Sequence, residues 1–114
     1  MLDYFFKKKL RLLNSVNFQY VFSQPSKKNT LEISILGRLN FLQYPRLGLS
    51  IPRKNIKHAH NRNLIKRLVR ETFRLLQHKL IAMDFIVIAQ KKITNLKNKK
   101  IINMLNILWS NYYR

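Results

Sequence analysis

Between His60 and Arg74 the chain reads HNRNLIKRLVRETFR, and the spacing of its apolar residues leaves little choice of conformation. An α-helix turns by about 100° per residue, so with Arg62 at zero, Lys66, Arg70, Arg74 and Arg67 fall within an arc of about 140°, with Asn63 inside it. Ile65, Leu68, Val69, Thr72 and Leu76 gather on the opposite side, from about 240° to 340°, with Phe73 at one margin. The pattern predicts a helix from His60 to Lys79 with one face on a core and a cationic face turned outward. Glu71, at about 180°, can pair with Arg67 or Arg74 but does not neutralise the arc. Cations stacked at i+4 steps repel by about a few tenths of a kcal/mol per pair, a cost that bound phosphates would turn into attraction.

Strand patterns stand on both sides of this helix. RLGLSI alternates Leu47, Leu49 and Ile51 with polar or small residues, and Pro52 closes it because proline cannot donate to a sheet ladder. MDFIVIAQ is a continuous β-branched run of the kind found in a strand covered on both faces. Earlier, LEISI places Leu31, Ile33 and Ile35 on one side of a half-buried strand, which Gly37 and the polar GRLN then loosen. Asn14 or Ser15 can cap a short first helix carrying Phe18, Val21 and Phe22 on one face and ending before Pro25. PSKKNT reads as a polar connection. Ile101, Ile102, Leu105, Leu108, Trp109 and Tyr112 mark a closing amphipathic helix. Strand, helix and strand in succession predict a crossover within a single α+β domain spanning residues 1–114, a sheet with helices packed against it.

Charge then restricts the partner. The 114 residues hold 23 Lys and Arg against Asp3, Glu32, Glu71 and Asp84, a formal net charge of +19. Such a surface repels itself unless a polyanion neutralises it. With no cysteine, disulfides and thiolate metal sites are excluded, and a reducing compartment, the cytoplasm, is expected. The N-terminal MLDYFFKKKLRLL is broken by Lys7, Lys8, Lys9 and Arg11 and reads as mature sequence rather than a targeting segment. No apolar run approaches the roughly 20 residues of a membrane span, so no membrane partner is expected.

The loop PRKNIKHAHNR adds Arg53, Lys54, Lys57, His58 and His60 at the start of the cationic helix, where free backbone N–H groups and the helix dipole attract anions. Phe18 and Phe22 suit a core, and they also suit the aromatic platforms that hold single-stranded RNA beside cationic walls. Catalysis by the chain itself is not expected. Metal-dependent phosphodiester hydrolysis needs carboxylates converging on Mg²⁺, and the four acids are scattered over different elements. His58 and His60 are simpler as phosphate donors than as a metal-free acid–base pair. Composition alone equally allows a structural RNA-binding protein of the ribosomal type. A DNA-binding helix-turn-helix is disfavoured because a strand leads into the helix where an earlier helix belongs.

The stretch RLGLSIPRKNIKHAHNRNLIKRLVRETFR, Arg46 to Arg74, resembles the protein subunit of bacterial ribonuclease P. Arg62, Asn63, Lys66, Arg67 and Arg70 match that family's RNR..KR..R helix, and LRLLNSVNFQYVFSQP, MDFIVIA and LNILWSNYYR are similar to its first helix, last strand and closing helix. The second arginine of the family's RNR is Leu64 here; at about 200° it lies outside the main arc, so its absence is expected to remove one peripheral RNA contact. The resemblance implies an α+β sandwich of about four strands and three helices with a left-handed strand–helix–strand crossover, against the right-handed norm. It further implies a partnership with the catalytic RNA subunit and with precursor tRNA, in a ribonucleoprotein endonuclease that cleaves off the 5′ leader. On that resemblance the RNA, holding Mg²⁺, is expected to perform the hydrolysis. RNA-binding residues are then Arg53, Lys54, His60, Arg62, Asn63, Lys66, Arg67, Arg70 and Arg74, with a leader cleft of Phe18, Phe22, Asn63, Lys66 and Arg70.

Overall fold

The computed structural model describes residues 3–114. Helix α1 spans Ser15–Ser23, β1 Ser26–Asn29, β2 Ile33–Leu39, β3 Arg46–Ser50, α2 Ala59–Leu76, β4 Met83–Ala89 and α3 Asn98–Ser110. The strands form one sheet in the order β1-β2-β4-β3, antiparallel except for the parallel pair β3 and β4, which α2 connects as the crossover. This is the α+β arrangement of four strands and three helices expected above.

Alternation along the strands sorts side chains to two faces. Ile33, Ile35, Leu47, Phe85, Val87 and Ala89 join Ile65, Val69 and Phe73 of α2 and Leu105, Leu108 and Trp109 of α3 in the main core. Leu36 and Ile86 point the other way, to Val21 of α1 and Leu12. Central β4 is thus covered on both sides, as its unbroken apolar run requires. Trp109 donates through Nε1 to Thr72 Oγ1 at 3.1 Å, so the largest core side chain leaves no buried donor unmet.

Two departures from the sequence reading have local causes. Ser26–Asn29, read as part of a polar connection, is the edge strand β1; all four residues are exposed, so no alternation marks them. The buried Tyr112 fastens the adjoining region, donating to the carbonyls of Ser26 at 2.8 Å and Ile35 at 3.2 Å. Gly37, expected to loosen β2, lies inside it, paired with Phe85. A Cβ there would come within 3.0 Å of the Phe85 ring, so the ring occupies the room a side chain would take. Leu31, expected on the buried side of that strand, precedes it and is exposed.

Helix α1 is held where Phe18 and Tyr20 pack against the sheet. Asn14 caps it, its Oδ1 accepting from Asn17 N at 3.0 Å, a contact of the type that stabilises by about 1 kcal/mol. Arg38 of β2 lies 3.9 Å from the centre of the Tyr20 ring and donates at 2.8 Å to both the Tyr20 carbonyl and Ser23 Oγ. The Tyr20 hydroxyl returns a bond to the Leu39 carbonyl at 2.6 Å. Beneath this clamp, Asp84 is 1% exposed and takes a two-pronged ion pair from Arg46, Nε at 2.8 Å and Nη2 at 2.7 Å, with Asn40 Nδ2 at 3.0 Å. One buried carboxylate therefore joins β3, β4 and the loop after β2.

Candidate nucleic-acid interface

Helix α2 turns the face expected of it outward. Ile65, Leu68, Val69, Thr72 and Phe73 are buried, whereas Asn63, Arg67 and Arg70 are exposed and Lys66 is half-buried. The cations of the arc are not equivalent. Arg62 is drawn inward, Nη1 donating to the carbonyls of Ile56 at 3.0 Å and Lys57 at 2.8 Å, and so fixes the loop that enters the helix. Arg74 is paired with Glu71 at 2.7 Å. Among the described residues, Lys66, Arg67 and Arg70 form no ion pair with any carboxylate, which leaves three adjacent positive charges without internal compensation.

Beside them runs a groove of about 280 Å³ lined by Phe18 of α1, Lys66 and Arg70 of α2, the Leu47–Leu49 stretch of β3, and Phe6, Arg11, Leu12 and Leu13 of the N-terminal segment. β3 is an edge strand, so α1 and α2, packed on opposite faces of the sheet, approach each other around it. The segment enters by a bridge between Arg11 and Leu47, with Leu12 N donating to the Leu47 carbonyl at 3.0 Å. Three of the five residues expected in the cleft, Phe18, Lys66 and Arg70, are thus brought together. Phe22, 47% exposed, extends the aromatic surface with its ring centre 6.4 Å from that of Phe18. Asn63 is not among the lining residues and sits farther along α2. Arg11, stacked 4.9 Å from the Phe6 ring centre, was missed as a site residue; its basic N-terminal run was the available signal, but only the bridge to β3 brings it to the groove.

Gly48 explains how close Phe18 comes. A Cβ at this position would lie 2.7 Å from Phe18 Cζ and 3.2 Å from Leu12 Cβ. Gly48→Ala is expected to displace the ring and destabilise by about 1 to 3 kcal/mol, measurable by urea unfolding.

The remaining expected residues cluster at the other end of α2. Arg53 and Lys54 are exposed in the turn after Pro52, where Asn55 N and Ile56 N both bond the Pro52 carbonyl at 3.0 Å. His60 is exposed, its ring centre 6.0 Å from that of His58. Lys54, Lys57 and His58 share a shallow site with Lys91, a cation contributed by the turn after β4 and invisible to local reading.

Leu64 departs from the expectation of a peripheral position. It is half-buried and packs against the main core. Leu64→Arg is accordingly expected to lower stability by about 1 kcal/mol through lost apolar burial, and RNA titration of the folded mutant should show no gain in affinity.

Uncompensated cations beside accessible aromatics, on a domain of this charge, define a nucleic-acid-binding protein. Comparison with known proteins narrows the class. The model of the family described as Ribonuclease P matches residues 6–113. The chain is 75% identical over 115 residues to the ribonuclease P protein component of Buchnera aphidicola subsp. Acyrthosiphon pisum, covering all of both chains. It is 50% identical to the corresponding component of Escherichia coli O157:H7, over 96% of this chain and 92% of that one. The solved ribonuclease P protein of Staphylococcus aureus superimposes with a TM-score of 0.84 at 26% identity, over 90% of this chain and 94% of that chain. The chain belongs to the ribonuclease P protein family.

Proposed function

We infer that this chain is the protein subunit of ribonuclease P, binding the catalytic RNA and precursor tRNA in a ribonucleoprotein endonuclease that removes the 5′ leader and leaves the mature tRNA 5′ end. The supporting observation beyond family membership is the trio Lys66, Arg67 and Arg70, without an ion pair among the described residues and adjoining the Phe18 groove. In this reading Lys66 and Arg70 hold leader phosphates, Phe18 and Phe22 stack its bases, and Asn63 contacts the strand farther along α2. Arg67, Arg53, Lys54 and His60 face the RNA more broadly, and Arg62 and Arg74 serve it chiefly by fixing the surface. The cytoplasm is the proposed compartment; among the described residues no helix is long and apolar enough to cross a membrane.

The chemistry is assigned to the RNA. Asp3 is bound to Lys7 at 2.6 Å, Glu71 to Arg74 and Asp84 to Arg46, while Glu32 stands apart from all three before β2. These carboxylates do not fit a Mg²⁺ site, and among the described residues no three His, Asp or Glu are grouped to hold a metal. We therefore place Mg²⁺ on the RNA, where it would activate water and stabilise the leaving oxygen.

Salt and substrate dependence test the reading together. Each neutralised phosphate contributes about −0.7 to −0.9 to the slope of log K against log[salt], so Lys66→Ala and Arg70→Ala should each flatten it by about one contact. Phe22→Ala should weaken binding of leader-bearing precursor by about 1 to 3 kcal/mol and spare mature tRNA. Unchanged slopes in both lysine and arginine variants, or equal losses for the two tRNAs, would remove α2 and α1 from the RNA surface.

A further inference from the structure

A second groove, larger than the one beside Phe18, lies elsewhere on the molecule. It has a volume of about 460 Å³ and opens near the C-terminal end of α2, between the N-terminal segment, the loop joining β2 to β3, and Arg114. Lys7, Lys9, His78 and Arg114 stand on its walls with Leu42, Tyr44 and Ile81. We propose that this groove is a second single-stranded RNA site, taking one nucleotide with its phosphate at Lys9 and Arg114 and its base against the apolar wall. The inference rests on the RNA-binding reading above and enlarges the protein's footprint on RNA beyond the α2 face.

Charge, shape and backbone conformation all support it. Asp3 also lines the groove, but Lys7 lies 2.6 Å from it and that pair cancels. Lys9 and Arg114 therefore set the sign. Lys9 Nζ sits 4.7 Å from the centre of the Tyr44 ring, and Arg114 is anchored by an Nη2 bond to the His78 carbonyl at 2.7 Å. Both cations are thus held at the groove before any ligand arrives, which lowers the ordering cost of binding. A cavity of this size with an apolar wall and a few fixed polar groups suits a nucleotide.

The wall loop carries a further sign. Phe41 is 86% exposed and has a φ of 59°, a conformation that costs free energy in a non-glycine residue and persists where its surroundings over-determine it. Here they do. Asn40 Oδ1 accepts from Leu42 N at 2.9 Å, while its Nδ2 donates to the Tyr44 carbonyl at 3.1 Å and to Asp84 Oδ1 at 3.0 Å. The loop is tied to the buried ion pair and presents a bare aromatic to solvent beside a cationic groove. An aromatic held in this way stacks the base next to the bound nucleotide.

The test is titration of the full-length protein with two probes, catalytic RNA alone and precursor tRNA alone, over a range of salt. A Lys9→Ala, Arg114→Ala double variant should flatten the salt slope by about 0.7 to 0.9, the share of the one phosphate they hold, for whichever RNA occupies the groove, with thermal unfolding unchanged. Phe41→Ala should weaken the same complex about five- to a hundredfold, and Phe41→Trp should restore it, which a merely structural role would not predict. Unchanged affinity and slope for both probes in the double variant overturn the proposal. Arg70→Ala, measured alongside, identifies which idea has failed: a loss there with none in the double variant removes only the second groove, whereas silence in both removes the α2 surface as well.

Discussion

Arg46→Ala is expected to destabilise the fold by about 3 to 5 kcal/mol, because it strands a buried carboxylate without its cation. Asp84 is 1% exposed, and of the three donors that satisfy it two come from Arg46. A domain of this size has about 5 to 15 kcal/mol of stability in total, so this substitution alone consumes a large part of it. The hydrogen bond to Asp84, with the charge of that carboxylate, holds the Arg46 guanidinium above its ordinary pKa despite partial burial. The converse change should be milder. In Asp84→Asn the unpaired group is Arg46, whose side chain is 22% exposed and can turn toward water. Replacing both residues by leucine should recover most of the loss, since a buried ion pair and a packed apolar pair are often close in energy. Urea unfolding of the three variants checks the order; an Arg46→Ala protein as stable as the parent would show that the Arg46–Asp84 pair does not hold the fold.

The second large effect concerns activity. The chain freed rigorously of RNA is expected to leave precursor tRNA uncut, and addition of its cognate catalytic RNA with Mg²⁺ is expected to produce a single cut at the 5′ end of the mature tRNA. The difference is that between no detectable product and full turnover. Its physical basis is that three of the four carboxylates are paired with cations and the fourth stands apart, so the described residues offer no convergent site for the metal that would activate water. Gel analysis of labelled precursor distinguishes the cases, and robust cleavage by RNA-free protein would overturn the assignment of catalysis to the RNA. Substituting Lys66 or Arg70 should then lower activity of the assembled particle mainly through binding, so that raised protein concentration or lowered salt recovers it.

Most of what is periodic in this protein was legible in its sequence. The two faces of α2, the cap at Asn14 and the doubly covered strand β4 all follow from residues within a few positions of one another, where helix and strand geometry alone decides which side chains share a face. The basic face of α2 was legible for the same reason, and the match of Arg62, Asn63, Lys66, Arg67 and Arg70 to a family signature pointed to the ribonuclease P protein family. Edge strand β1 was not legible, because its four exposed residues carry no alternation and it pairs only because β2 offers an edge.

Tertiary structure decided what each charge is used for. Arg62 and Lys66 look alike on a helical wheel, yet one is bonded to the carbonyls of Ile56 and Lys57 and the other lines a groove with Phe18. Arg46 and Asp84 become partners across 38 residues, Leu64 is drawn toward the core, and Arg11 reaches Lys66 and Arg70 only through its bridge to β3. Local spacing specifies the direction in which a side chain leaves its own element, since that depends on a few backbone angles. Which neighbour it then meets depends on how distant segments stack, and a guanidinium of given direction serves equally well as an internal clamp or as a contact for RNA.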